Sequence, residues 1–222
     1  MRTPLPARIL RTAAWAATVI VTVYPLLFMV FAAFKTPQEF TFNFWLPPRP
    51  AGFTLGNLTE VWLRYKFYLF FRNSVVVSAG ASALTLAFSV LAGYAFARLR
   101  FPLSEALFVL IIGILFLPVF IYIIPLFVQM RGLHLTNSLT SLLVVYTFFG
   151  LPSSIFIARG YFETLPGELA ESGLMDGASQ FAVFRWIMLP LAKPVTSAIL
   201  ILTFIGNWGE YIWAIVSNTR DT

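Results

Sequence analysis

Cysteine is absent from the 222 residues, and histidine occurs once, at His134. The first absence excludes a disulfide framework and thiolate metal sites, and the second excludes a histidine-cluster metal centre. Neither a G-x-x-x-x-G-K-[ST] loop nor a G-x-G-x-x-G turn occurs, so these phosphate-cradling devices are missing. Charge is scarce too. Asp, Glu, Lys and Arg make up 11% of the chain, whereas a soluble domain carries about 25%. In their place, 59% of residues are hydrophobic and the mean hydropathy is +0.84. Lipid is the solvent that suits such a surface. The net charge of +6 does not point to nucleic acid, because the bases stand singly between apolar runs and form no stripe.

Charge-free intervals give the spans. A bilayer core of about 30 Å takes about 20 residues of helix. Residues 12–34, 73–97, 106–130 and 139–158 meet this, and a fifth interval, 194–216, holds one charge, Glu210. Each must be helical, since lipid offers no partner to free backbone groups. The expected fold is an all-α polytopic membrane protein, one transmembrane domain over 1–222 with five transmembrane helices. The first span is too long for a cleavable signal and lacks a small-x-small site after it, so it is expected to stay as an anchor. Arg2, Arg8 and Arg11 precede it without an acid, which favours a cytoplasmic N-terminus over residues 1–11. Alternation then places 98–105 and 159–193 inside. Eight Lys/Arg fall inside and seven outside, five of the latter within 35–72. The C-terminus falls outside after "IVSNTRDT", which does not read as a natural end, so a sixth helix is expected beyond it.

The external segment 35–72 has two parts. "WLPPRPAGF" is too rich in proline for regular helix. "NLTEVWLRYKFYLFFR" predicts one aromatic amphipathic helix, with Asn57 and Glu60 at capping-box spacing. It fits either a platform for an outer partner or an interfacial anchor. In span two, Ser74, Ser78, Ser82, Thr85 and Ser89 share one face, while Ala79, Ala83, Ala87 and Ala95 share another. The hydroxyls either line a polar path, Ser78 and Ser82 being the candidates, or bond their own i−4 carbonyls. Pro118 and Pro125 predict a kink or break in span three. In "FIGNWGEYIWA", Asn207, Trp208 and Glu210 mark either the outer mouth of a path or the headgroup layer. No other charge lies inside a span. An ion-driven carrier, the alternative reading, usually needs intramembrane carboxylates for its coupling ion. An energy source outside this chain is therefore expected.

Four of the nine acids fall between Glu163 and Asp176, in "ETLPGELAESGLMDGASQFAVFRWIMLPLAKP". Helix-start signals open "PGELAESGLM", Asp176-Gly177 turns the chain, and "ASQFAVFRWIML" resumes as helix until Pro190 and Pro194. Phe181, Phe184, Trp186 and Ile187 are available for burial. Small residues Ser172, Gly173, Gly177 and Ala178 gather at the bend, leaving room for another backbone. The unit reads as a docking knob or as a plain interfacial loop.

"ESGLMDGA" followed by "FRWIMLPLAKP" resembles the EAA loop of permeases from bacterial ABC importers. Glu171 matches the glutamate of that signature, Ser172 and Gly173 take its two alanine positions, and Asp176, Gly177 and Ala178 match the rest. "NSVVVS", "AGYAFARLRFP", "IPLFVQMRGLHLTNS", "LPSSIFIARGYFETLPGEL" and "NWGEYIWA" resemble the carbohydrate-uptake branch, specifically its maltose MalG-like subunits, over roughly residues 70–216. The resemblance implies one permease of a heterodimer in the bacterial inner membrane, fed by an extracytoplasmic sugar-binding protein. It further implies two ATPase subunits below, contacted by the 159–193 loop through Glu168, Glu171 and their neighbours. The chain itself would catalyse nothing and bind no cofactor; ATP and Mg would sit on the ATPases. Members usually have six spans.

Overall fold

Residues 5–217 are described in the computed structural model; Arg2 of the N-terminal charge group and the tail from 218 lie outside the described residues. Among those residues every regular element is helical, and an isolated antiparallel bridge joins Lys35 to Phe53. The chain forms two units, Met1–Phe71 and Arg72–Thr222.

In the first unit, α1 (Leu5–Ala33) is an uninterrupted apolar helix with no buried residue in its body, and Pro25 does not end it. The chain then folds back. Pro37 opens α2 (Pro37–Phe42), and the Thr36 hydroxyl accepts from the Glu39 amide at 3.3 Å. Lys35 is buried, and its Nζ donates to the carbonyls of Asn43 (2.5 Å) and Phe44 (2.9 Å). Glu39 accepts from Arg49 Nε at 3.1 Å and from Asn43 Nδ2 at 2.7 Å. The Arg49 guanidinium, helped by Asn43, holds the Glu39 carboxyl down at about 2. Rings of Tyr24 and Phe28 on α1 pack on Phe40, Phe44 and Trp45, and Phe34 stacks on Phe53 at 5.5 Å.

The single helix expected from Asn57 to Arg72 is not formed. α3 (Gly56–Thr59) runs into a π-helical turn, Glu60–Arg64, and the chain breaks at Lys66, whose φ of 53° leaves the right-handed region. Asn57 caps nothing. Its Nδ2 donates to the carbonyls of Ala33 (3.1 Å) and Lys35 (2.8 Å). The last carbonyls of α1 lack donors within the helix, and they claim the amide instead.

The second unit carries most of α4 (Phe67–Arg98), then α5 (Ser104–Phe116), α6 (Phe120–Gly132), α7 (Leu139–Thr164), α8 (Glu168–Met175), α9 (Gln180–Leu191), α10 (Lys193–Gly209) and α11 (Ile212–Ser217). α1, α4 and α7 are each long and apolar enough to cross a membrane. Two bent pairs raise the number to five: α5 with α6 at 106°, and α9 with α10 at 76°. The first bend falls at Pro118, as the sequence suggests, whereas Pro125 sits inside an intact α6. The fifth span is not one helix over 194–216, because it breaks at Glu210 before α11.

The buried face of α4 is its hydroxyl face. Ser78, Ser82, Thr85 and Ser89 are buried, whereas Ala79, Ala83 and Ala87 are exposed. Thr85 Oγ1 donates to the Thr147 carbonyl of α7 at 3.2 Å, and Ser89 bonds back to Leu86 within its own helix. Two cores follow. One joins Val90, Tyr94, Ala158, Phe162, Val183, Phe184, Met188 and Ala192 near α8 and α9. The other gathers Val77, Ala81, Met130, Leu142, Val145, Tyr146 and Trp213 at the far end.

Candidate functional site

Two places carry polar chemistry beyond what packing needs: the α8–α9 hairpin and a groove between α7 and α10. The hairpin is built by local signals. Gly177 takes φ 84°, a left-handed residue that closes α8, and the Ala178 amide reaches back to the Gly173 carbonyl at 3.1 Å. The Ser179 hydroxyl then accepts from the Ala182 amide at 3.2 Å and starts α9. Inside α9, Phe184–Met188 form a π-helical turn that drives Phe184 and Met188 inward. Phe184 meets Tyr94 with ring centroids 5.0 Å apart. Burying each such side chain contributes about 1.5–3 kcal/mol. The hairpin is thereby welded to α4 and α7.

Its outer face differs. Glu168, Glu171 and Asp176 are exposed, and none has an ion-pair partner among the described residues. Phe181 and Trp186 are 66% and 73% exposed, so only Phe184 and Ile187 of the four expected residues turn inward. The inward stripe is Val183, Phe184, Ile187 and Met188 at helical spacing, and Trp186 falls on the opposite side of it. Gly173 does not leave room for a partner's backbone; it is buried beneath Ile187 and Val183 of α9. Ser172 bonds Leu169, Ala178 is half-buried, and Gly177 has no neighbouring atom where a Cβ would point. Beside Glu171 lies a cavity of about 980 Å³, walled by Arg98, Arg100, Glu105 and Gln180 among others.

At the root of the hairpin, Arg98 Nη2 donates to the carbonyl of Phe162 at 2.6 Å and to that of Leu165. These are end-of-helix carbonyls of α7, which a cation suits. Arg159 closes the neighbouring joint. It pairs with Glu105 and Glu163 at 2.7 Å each and covers the Phe108 ring at 4.0 Å.

The second place is a groove of about 370 Å³ lined by Tyr146, Ser153, Thr203, Asn207, Glu210 and several apolar neighbours. Asn207 Nδ2 donates to Ser82 Oγ at 3.1 Å. Glu210 accepts from the Tyr146 hydroxyl at 2.5 Å and from the Trp213 amide at 2.9 Å. The carboxylate thus caps α11 while it holds α10 to α7. Ser82 and Ser78 lie within the bundle, behind the groove rather than on its surface. Trp208 is 43% exposed and stacks on Phe204. No group of three His, Asp or Glu converges among the described residues.

The family of binding-protein-dependent transport system inner membrane components matches residues 85–217, which include both the hairpin and the groove. The chain belongs to this family. It is 31% identical over 206 residues to the diacetylchitobiose uptake system permease protein NgcG of Streptomyces coelicolor, covering 92% of this chain and 66% of that one. It is 32% identical to the sulfoquinovosyl glycerol transport system permease protein SmoH of Agrobacterium fabrum, covering 95% and 74%. It is 33% identical to the arabinooligosaccharides transport system permease protein AraQ of Halalkalibacterium halodurans, covering 93% and 74%. The chain therefore spans about two thirds to three quarters of the length of these relatives. A solved bacterial ABC transporter that imports the acidic polysaccharide alginate contains a chain of the same fold, with a TM-score of 0.86 over 99% of this chain and 77% of that one, at 22% identity.

As a transport component rather than an enzyme, this inner-membrane chain has no catalytic centre to assemble. Arg98, Tyr146, Arg159 and Thr203 escaped the reading of the sequence alone. Tyr146 and Glu210 stand 64 residues apart, and no local pattern joins them. Arg98 did leave a trace, as the cation that ends the charge-free interval 73–97.

Proposed function

We propose that this chain is one permease subunit of an ATP-driven importer that moves a sugar or oligosaccharide across the cytoplasmic membrane by alternating access. One observation carries the reading. The α8–α9 hairpin presents Glu168, Glu171 and Asp176 outward without ion-pair partners among the described residues, while its inner face is locked into the core that holds α4 and α7. A knob of this kind converts a push on its outer face into movement of the spans. The partners that supply the push are two ATPase subunits on the cytoplasmic side, which requires a cytoplasmic N-terminus. A second permease completes the path, and an extracytoplasmic binding protein delivers the solute. ATP and Mg belong to the ATPases.

The named cargo of the relatives NgcG and AraQ, diacetylchitobiose and arabinooligosaccharides, supports a carbohydrate. So does the groove, where Ser153, Thr203 and Asn207 offer hydroxyl and amide groups beside apolar walls suited to sugar faces. Asn207, Trp208 and Glu210 sit at its outer mouth in this reading.

Glu171→Ala tests the coupling role. The variant is expected to insert and pair normally, while sugar-stimulated ATP hydrolysis by the reconstituted complex falls. Stimulated hydrolysis at the wild-type rate removes Glu171 from that role.

A further inference from the structure

The groove between α7 and α10 is one-sided in its hydrogen bonding, because its hydroxyls have already spent their hydrogens. Ser153 Oγ donates to the Gly150 carbonyl at 3.3 Å, Thr203 Oγ1 to that of Ile199 at 2.7 Å, and the Tyr146 hydroxyl to Glu210. A serine or threonine hydroxyl has one hydrogen and two lone pairs, so Ser153 and Thr203 keep acceptor capacity only. Asn207 gives one amide hydrogen to Ser82 and keeps one, beside its own carbonyl oxygen. Glu210 accepts a bond on each oxygen and brings a negative charge.

No positive charge balances this. Among the described residues no Lys, Arg or His lines the groove. α10 ends beside it at Gly209, and the last carbonyls of a helix lack internal donors and form the negative end of its dipole. A carboxylate, sulfonate or phosphate only accepts, and it needs N–H donors or a cation to leave water. The groove offers one N–H and a like charge. A neutral sugar brings what is missing: hydroxyls that donate to the waiting lone pairs, and C–H faces for Phe149, Ile157 and Leu202.

We infer that the groove admits uncharged, hydroxyl-rich saccharides and turns away acidic ones, with Glu210 as the charge that sets the preference. The inference rests on the groove being part of the cargo path, as proposed above, and narrows that cargo to neutral sugars.

The lack of cysteine makes the test direct. Thr203→Cys and Ser153→Cys are made singly in the full chain, assembled with its partner subunits in open membrane fragments, and the complex without the introduced cysteine gives the background. Rates of reaction with a cationic and an anionic methanethiosulfonate of similar size are divided by those of the same reagents with 2-mercaptoethanol. The cation is expected to be favoured by about tenfold, as one unit charge a few ångströms away in a partly hydrated groove requires. Glu210→Gln is expected to remove most of that preference. With Glu210 intact, millimolar neutral malto-oligosaccharides are expected to slow the labelling, and oligogalacturonates of equal length to leave it unchanged. Absence of a cation preference at both positions overturns the inference, and so does a preference that survives in full in Glu210→Gln or equal protection by the two sugars. Protection by neither sugar removes the groove as a cargo site, and the inference with it. None of these measurements uses ATP, so their failure is distinct from failure of the importer reading, which sugar-stimulated hydrolysis decides.

Discussion

Gly177 and Glu39 show how single residues set local geometry by different means. Gly177 has φ 84° and no atom within 4 Å of a built Cβ, so a side chain there meets backbone strain and no clash. Strain of that kind costs about 1–3 kcal/mol, too little to unfold a multi-span bundle. Gly177→Val is therefore expected to insert normally yet misaim the hairpin, and on the proposed reading the detergent-solubilised permease loses its ATPase subunits on co-purification. Full retention of the ATPases with near-normal uptake removes the hairpin from the coupling role. Glu39 acts through charge. Its carboxyl falls from 4.5 to about 2 on folding because of Arg49. A lowered folded value means that its support of the 36–53 loop is complete above pH 4.5 and fades as pH drops toward 2. A fluorophore attached at the exposed Leu46→Cys is expected to report loosening of the loop in that acid window, and Glu39→Gln is expected to abolish the pH step. A step unchanged in Glu39→Gln assigns it to another group.

Between elements, α4 and α7 approach closely at Gly93. A Cβ built there stands 2.5 Å from Ala158 Cβ and 2.9 Å from the Arg159 amide nitrogen, and backbone cannot yield cheaply. Gly93→Leu is expected to part α4 from α7 at a cost of at least about 1–3 kcal/mol, read as a lower thermal midpoint in detergent. Gly160→Ala, with open space at its Cβ, is expected to leave the midpoint unchanged or raise it. This element scale is also where the sequence was most and least legible. Charge-free intervals fall on α1, α4 and α7, the helices long and apolar enough to cross a membrane, because burying charge in lipid is costly, and Pro118 marked a true break. Yet Pro25, Pro125 and Pro152 each sit inside an intact helix. A proline near a span's middle removes one bond, and only tertiary packing decides whether the helix ends. The turn between α8 and α9 was visible through Asp176-Gly177, whereas Trp186, an aromatic expected inward for its size, lies opposite the helical stripe of Val183, Phe184, Ile187 and Met188 that packs on the core. Asn57 looked like a cap locally and serves α1 instead, a long-range demand with no local signature.

For the whole molecule, the energy source is the question that separates an importer subunit from an ion-coupled carrier. Within the groove the one acid, Glu210, already spends both oxygens on Tyr146 and Trp213. A carboxylate so engaged is poorly placed to pick up a coupling ion. Uptake in vesicles bearing the assembled complex is expected to survive collapse of proton and sodium gradients and to stop when ATP is withheld. Uptake that follows the gradients and ignores ATP refutes the importer reading.

The 76° bend at Ala192 makes α9 and α10 the two arms of a crank. Ala192 is fully buried, so the bend sits where a fulcrum belongs. At 1.5 Å per residue the hairpin arm, Gln180–Leu191, is about 18 Å long and the span arm, Lys193–Gly209, about 25 Å. Asn207 lies about 22 Å from Ala192 along its arm, so a rigid rotation about Ala192 would deliver a stroke at the hairpin tip to Asn207 enlarged by roughly 1.25. On the proposed coupling, such a joint would favour displacement at the groove over force.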